Sequence, residues 1–195
     1  MDKGSGLLFV VLGLGNPGPS YGKTRHNAGF MAVDSLASES GVKLDRQGDG
    51  YVYGLCRVGE EEVVLAKPLT YMNLSGVAAE RLVRRHGASP ASLIVVYDDC
   101  DLELGRVRIR KGGGSGGHRG VASIMERFGT EDFLRLRLGI GRPPGGMELS
   151  DYVLLPFGTE EKEVFEDEIK RAVAALTDII RNGADFAMNL HNAQQ

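Results

Sequence analysis

Leu7 to Leu14 reads LLFVVLGL, with no polar side chain on either set of alternating positions. A strand with one wet face alternates polar and apolar residues, whereas a strand apolar on both faces belongs inside a sheet that helices cover from both sides. No uninterrupted apolar run reaches the roughly 18 residues that span a bilayer, so this segment is strand-sized core and membrane insertion is not expected. Asn27 to Ser40 then reads as a helix with Phe30, Val33 and Ala37 on one face and Gly41 as its stop. Tyr51 to Val58 and Glu62 to Lys67 flank a Gly59 turn as a hairpin, Ser75 to His86 is helical, and Leu93 to Tyr97 is a buried strand ending in acids. Arg106 to Arg110 alternates like an edge strand, and a helix near Val121 to Phe128 leads into a strand from Arg135 to Ile140. An acidic amphipathic helix from Glu160 to Arg181 follows. Strands alternating with helices, plus one hairpin, predict an α/β class: a single compact domain over residues 1–195, a central mixed β-sheet with helices on both faces, and a disordered tail over residues 1–6.

Charge bounds the partners. The chain has 23 Lys and Arg against 26 Asp and Glu, so it is no polycation, and a nucleic acid must be held by a local patch. Such a patch exists in sequence: Arg106 to Arg142 carries nine basic against three acidic residues, a net +6 in a chain whose total is −3. Met1 to Gly6 has no signal-peptide pattern, and two cysteines, Cys56 and Cys100, make neither a disulfide framework nor a zinc knuckle. Reduced, buried thiols in a cytoplasmic protein are the expectation.

Three familiar signatures fail on geometry. Gly13-Leu14-Gly15-Asn16-Pro17-Gly18 fits the dinucleotide fingerprint, but that site needs its third glycine inside the helix, and Pro17 with the stretch Pro19 to Lys23 delays the helix here. Gly22-Lys23-Thr24 resembles the end of a P-loop, yet Pro17 stands where the first glycine is required. A Mg²⁺-dependent ATP or GTP hydrolase is therefore disfavoured. Gly113-Gly114-Ser115-Gly116-Gly117 matches a nucleophile elbow only because glycines fill it, and the histidines downstream are His118, too close, and His191, near the expected frayed end. Gly112 to Gly117 reads better as a flexible loop whose bare amides face phosphate.

A fourth constellation sits where sites form in mixed sheets. Asn16 lies just past the first strand, His26 at the start of the first helix, Asn73 in the loop before a helix, and Asp98 at the end of a buried strand. Singly, each also has a structural reading as turn, cap or exposed helix-start residue. Together they suit ester cleavage by water. Histidine, with an ordinary pKa near ~6.5, is the natural base near neutrality. A carboxylate fixes its tautomer, and side-chain amides polarise a carbonyl without adding charge, so no nucleophilic Ser or Cys is needed.

These residues carry a resemblance. Gly13 to Gly18, Tyr21, Thr24-Arg25-His26-Asn27-Ala28-Gly29, Tyr71-Met72-Asn73-Leu74-Ser75-Gly76, Asp98 with Asp101-Leu102, the Gly112 to Gly117 run and Arg135 to Gly141 are similar, in order, to bacterial-type peptidyl-tRNA hydrolases. The resemblance runs from about Leu7 to the C-terminal helix. It implies an esterase that frees peptides from dropped peptidyl-tRNA, without cofactor or metal, on a monomer with a central mixed sheet. By the family pattern His26 is the catalytic base, Asp98 supports it, and Asn16 and Asn73 contact the peptide side, Asn16 helping to tell a blocked α-amino group from a free one. Tyr21, Tyr71 and Met72 line the binding region. The acceptor stem and 3′ end of the tRNA are expected on Arg110, Lys111 and Arg137, with His118 and Arg119 beside the glycine loop. Arg119 departs from the family, which carries Asn there, and an arginine grips phosphate but cannot accept a hydrogen bond. The competing class is a non-catalytic RNA-binding relative, against which the intact Asn16, His26, Asn73 and Asp98 argue.

Overall fold

The computed structural model describes residues 8–193; Leu7 and the tail expected over residues 1–6 lie outside them. Seven strands make one sheet: β1 (Leu8–Gly13), β2 (Arg46–Gly48), β3 (Tyr51–Val58), β4 (Glu61–Pro68), β5 (Leu93–Asp99), β6 (Val107–Arg110) and β7 (Leu134–Gly139), in spatial order β2-β3-β4-β1-β5-β7-β6. The inner strands β4, β1, β5 and β7 are parallel, while β3 on β4, β2 on β3 and β6 on β7 are antiparallel, so the sheet is mixed as its sequence pattern predicts.

The six helices are α1 (Ala28–Glu39), α2 (Ser75–Arg85), α3 (Arg119–Phe128), α4 (Leu149–Tyr152), α5 (Thr159–Asn182) and α6 (Ala184–His191) among the described residues. Val11 of β1 packs with α1, α5 and α6, while Val10 and Leu12 pack with α2 and α3, which is why this strand needs no polar face. Each such fully buried aliphatic side chain stabilises the fold by roughly 1.5–3 kcal/mol.

Two glycines set how closely α1 approaches the sheet. A Cβ at Gly13 would lie 2.3 Å from the Gly29 carbonyl oxygen, and one at Gly29 would lie 2.2 Å from the Val96 carbonyl oxygen. No other residue type fits this contact between β1, β5 and the start of α1.

Several expectations need correction. Phe30 is only partly buried, and the buried stripe of α1 runs through Ala28, Ala32, Val33, Leu36 and Ala37. Cys56 and Cys100 are half-buried, not buried. His191 is not frayed: it ends α6 with Nε2 2.8 Å from Asp178, and the adjacent Asn192 amide donates to and accepts from the Ile109 backbone, closing the free edge of β6. The short elements β2, α4 and α6 carry no sequence expectation at all.

Candidate active site

β1 and β5 lie side by side and parallel, so the residues that follow them emerge at the same rim of the sheet. Leu14 N–H donates to Val96 O at 2.8 Å and extends this pairing to the rim itself. Asp98 is the penultimate residue of β5 there. His26 comes from a 3-10 turn over Arg25–Asn27 that leads into α1, and the Gly29 contact presses that turn onto β5. The His26 Nδ1 lies 3.0 Å from both carboxylate oxygens of Asp98.

A second imidazole shares the carboxylate. His118 is the N-cap of α3: its Nδ1 accepts from Val121 N–H at 3.3 Å, and its Nε2 lies 3.1 Å from Asp98 Oδ1. These partners assign the tautomers, because an Nδ1 that accepts leaves the His118 proton on Nε2, aimed at Asp98. Likewise His26 spends an Nδ1 proton on Asp98 and keeps Nε2 for the cavity. Burial alone would raise the Asp98 pKa, but the two imidazoles outweigh it and hold the carboxyl well below the usual carboxylate range. The donor atoms of His26, Asp98 and His118 lie within 4.8 Å of one another, yet a cation there would have to displace both imidazole protons.

Asn16 is fixed by residues on two other segments. Its Oδ1 accepts from Met72 N–H at 2.9 Å, which leaves the Nδ2 amide protons as its group facing the cavity. Asn27 holds the Asn16 backbone on both sides, its Oδ1 accepting from Asn16 N–H at 2.9 Å and its Nδ2 donating to Asn16 O at 3.0 Å. Nothing in the periodicity of the sequence marks Asn27 for this task. Its place beside His26 at a helix start is the only signal. Met72 is buried, whereas Asn73 and Tyr71 are exposed on the rim.

His26, Asp98, Asn16, Tyr71, Met72, Asn73, His118 and Arg119 all line one cavity of about 580 Å³. Its far wall is the segment between β7 and α5, which carries the short α4. Leu149, Val153 and Leu154 of that wall face the site, and His26 N–H donates to Val153 O at 2.8 Å. Arg25 clamps the wall: Nη1 donates to Pro156 O at 2.6 Å, Nη2 reaches both Glu161 oxygens at 2.9 and 2.6 Å, and its guanidinium lies 4.3 Å from the centre of the Tyr152 ring.

Other expected contacts stand elsewhere. Tyr21 lies on the turn before His26, outside the cavity lining. Arg137 is engaged by Asp99 at 2.5 Å, and Lys111 pairs with Asp185 at 2.6 Å on the exposed surface. His118, expected to face RNA, has both ring nitrogens occupied. Arg127 and Arg142 are paired with Glu80 and Asp101, and Arg135 is buried, which thins the +6 patch further. Arg110 and Arg119 are exposed and, among the described residues, unpaired. Cys100, half-buried, also lines the cavity.

The sequence matches the model of the peptidyl-tRNA hydrolase family over residues 10–195. It is 48% identical over 187 residues to a peptidyl-tRNA hydrolase of Moorella thermoacetica, covering 95% of this chain and 98% of that protein. It is also 48% identical over 188 residues to that of Aquifex aeolicus, covering 96% and 97%. The fold superposes on a crystal structure of peptidyl-tRNA hydrolase from Acinetobacter baumannii with a TM-score of 0.88 at 33% identity, covering 95% of each chain. With a family match across nearly its whole length and relatives of nearly half its residues in common, the chain belongs to the peptidyl-tRNA hydrolase family.

Proposed function

We propose that this chain hydrolyses the ester joining a peptide to the 3′ ribose of tRNA, with His26 as general base and no cofactor. The observation that carries the reading is the His26 Nδ1 held on the buried Asp98, which leaves Nε2 as the one basic nitrogen offered to the cavity. Nε2 takes a proton from water as the water oxygen attacks the ester carbonyl carbon. Asp98 stabilises the imidazolium so formed, and the amide of Asn73 donates to the developing oxyanion. Collapse expels the ribose 3′ oxygen, which recovers the proton from Nε2, leaving a peptide carboxylate and a free tRNA hydroxyl. General-base assistance of this kind supplies about 10²–10⁴ in rate.

Selection against free aminoacyl ends follows from Asn16. Because Met72 occupies Oδ1, the cavity meets only amide donors there. An acylated α-amino group offers them a carbonyl acceptor, while a free ammonium offers only further donors. Sites built on one such hydrogen bond discriminate by up to ~10⁴. The acceptor stem rests on Arg110 and Arg119, and the enzyme works as a cytoplasmic monomer.

Hydrolysis of N-acetyl-aminoacyl-tRNA beside its unblocked counterpart tests the reading. Rapid cleavage of the blocked ester alone, lost in His26→Ala with tRNA binding kept, is the expected result. Binding without turnover by the unaltered protein would instead make the chain a non-catalytic RNA-binding relative.

A further inference from the structure

The glycine loop that walls the cavity has almost nothing of its own to hold it. Ser115, Gly116 and Gly117 line the cavity, yet a Cβ built at Gly113, Gly114, Gly116 or Gly117 would meet no atom within 4 Å. His118 N–H donates to Ser115 O at 3.0 Å and Gly112 lies close against Glu131, but a loop this poor in side chains keeps its shape better with a further polar anchor. Arg135 on β7 supplies one. It is 1% exposed, and its Nη1 donates to the Gly114 carbonyl at 2.7 Å while Nη2 reaches Glu131 O at 3.4 Å.

The setting of this guanidinium is unusual. Leu134, Leu136 and Leu138 of the same strand turn to the core on the other face. Arg135 is left on the α3 side with the Phe133 ring 4.6 Å away, its Nε without a partner and, among the described residues, no carboxylate to balance it. A buried charge solvated by two carbonyls, a ring and the Tyr97 phenol, with no carboxylate, is costly unless it does something a leucine would not. The Arg135 charge also acts on the phenol of Tyr97, whose ring centre lies 4.9 Å from that of His118. Arg135 thus stands behind both the loop and the second imidazole on Asp98. The loop it anchors separates Arg110 from Arg119 along the chain, both exposed cations.

We propose that Arg135 is a positioning residue that holds the Gly112–Gly117 loop in the pose that receives the tRNA 3′ end, and so governs substrate affinity without touching substrate. The inference rests on the peptidyl-tRNA reading above. Losing a charged donor to a carbonyl weakens a contact by about tenfold or more. Arg135→Met is therefore expected to raise KM for N-acetyl-aminoacyl-tRNA about tenfold with kcat within about twofold. Arg135→Lys, which keeps charge and length but cannot fork to two carbonyls, restores only part of the affinity.

Side-chain ¹H–¹⁵N spectra of the unaltered protein supply a measurement that no misfolded variant can blur. Separate, slowly exchanging Nη–H signals from Arg135 are expected, and a single averaged guanidinium signal would overturn the anchor. Unchanged KM in both variants of an active enzyme would overturn the proposal. Failure of the unaltered protein to cleave the ester would instead overturn the reading beneath it, while the spectra would still decide whether Arg135 holds the loop.

Discussion

A methyl group on Gly29 would sit 2.2 Å from the carbonyl oxygen of Val96. No rotamer can relieve that clash, because the position of a Cβ is fixed by the backbone and its neighbour is a backbone carbonyl. Gly29→Ala must push α1 off β5, and with it the turn carrying His26. A loss of about 3 kcal/mol is expected by denaturant titration. Whatever folded protein remains should hydrolyse poorly, since the shift opens the His26 to Asp98 contact.

Asp98→Asn changes shape little and chemistry greatly. An amide cannot accept from both imidazoles while compensating the charge that forms on His26. Single-turnover hydrolysis should slow by about 10²–10⁴ with tRNA binding unchanged. The same carboxyl affects acid stability. Its pKa is depressed on folding, so its contribution is present above the ordinary value of 3.8 and is lost as pH falls below it. Urea midpoints below that pH should drop less in the Asn variant than in the unaltered protein.

Glu168 behaves in the opposite sense. It is fully buried on α5, with Oε2 accepting from Gly105 N–H at 2.9 Å, and burial pushes its pKa from 4.5 up to about 8. The folded protein therefore keeps a proton that the unfolded chain has released. The stability this carboxyl lends is full below pH 4.5 and declines steadily until about pH 8, above which it changes no further. Glu168→Gln should flatten that slope, so the gap between the two melting temperatures should move in favour of the variant as pH rises through this window.

Glu161 serves two partners, accepting from Arg25 and from Gly158 N–H at 2.6 Å at the start of α5. Glu161→Ala leaves the Arg25 guanidinium nearly buried with only carbonyls to face, and frees the wall that carries Leu149, Val153 and Leu154. A loss of about 2 kcal/mol is expected by thermal or chemical melts, discounted because the carboxylate is partly exposed. KM should rise as well.

Salt dependence separates the free cations from the committed ones. Arg110→Ala and Arg119→Ala should each lower the slope of log affinity against log salt by about 0.7–0.9. Lys111→Ala and Arg137→Ala should change it less, since Asp185 and Asp99 already neutralise those charges. Fluorescence anisotropy with labelled tRNA across a salt series checks all four.

The sheet was legible because its strands are either continuously apolar, as in Val10 to Leu12, or strictly alternating, as in Leu134 to Leu138. The long helices were legible from their apolar stripes. What escaped notice has no period. β2 is three largely exposed residues and α4 is four, and α6 is defined by what it covers, with Asn192 pairing to an edge strand. In the site, His26, Asp98, Asn16 and Asn73 could be picked out as polar residues at strand ends and helix starts. Asn27 and Arg25 could not, because each acts on backbone groups of a segment distant in sequence. A linear count of charge over Arg106 to Arg142 likewise cannot see that Asp99, Asp101, Glu80 and Asp185 pair with part of it from other elements.

The clamp of Arg25 on Glu161 has one more consequence. Under the proposed activity, every copy of this enzyme is born attached through the very kind of bond that it cuts. One wall of its cleft is pinned by Glu161, which follows Arg25 by 136 residues, so the ribosome adds it only after His26, Asn73 and Asp98 have all been made. A growing copy therefore carries its base and carboxylate before it carries the clamp that fixes the wall across from them.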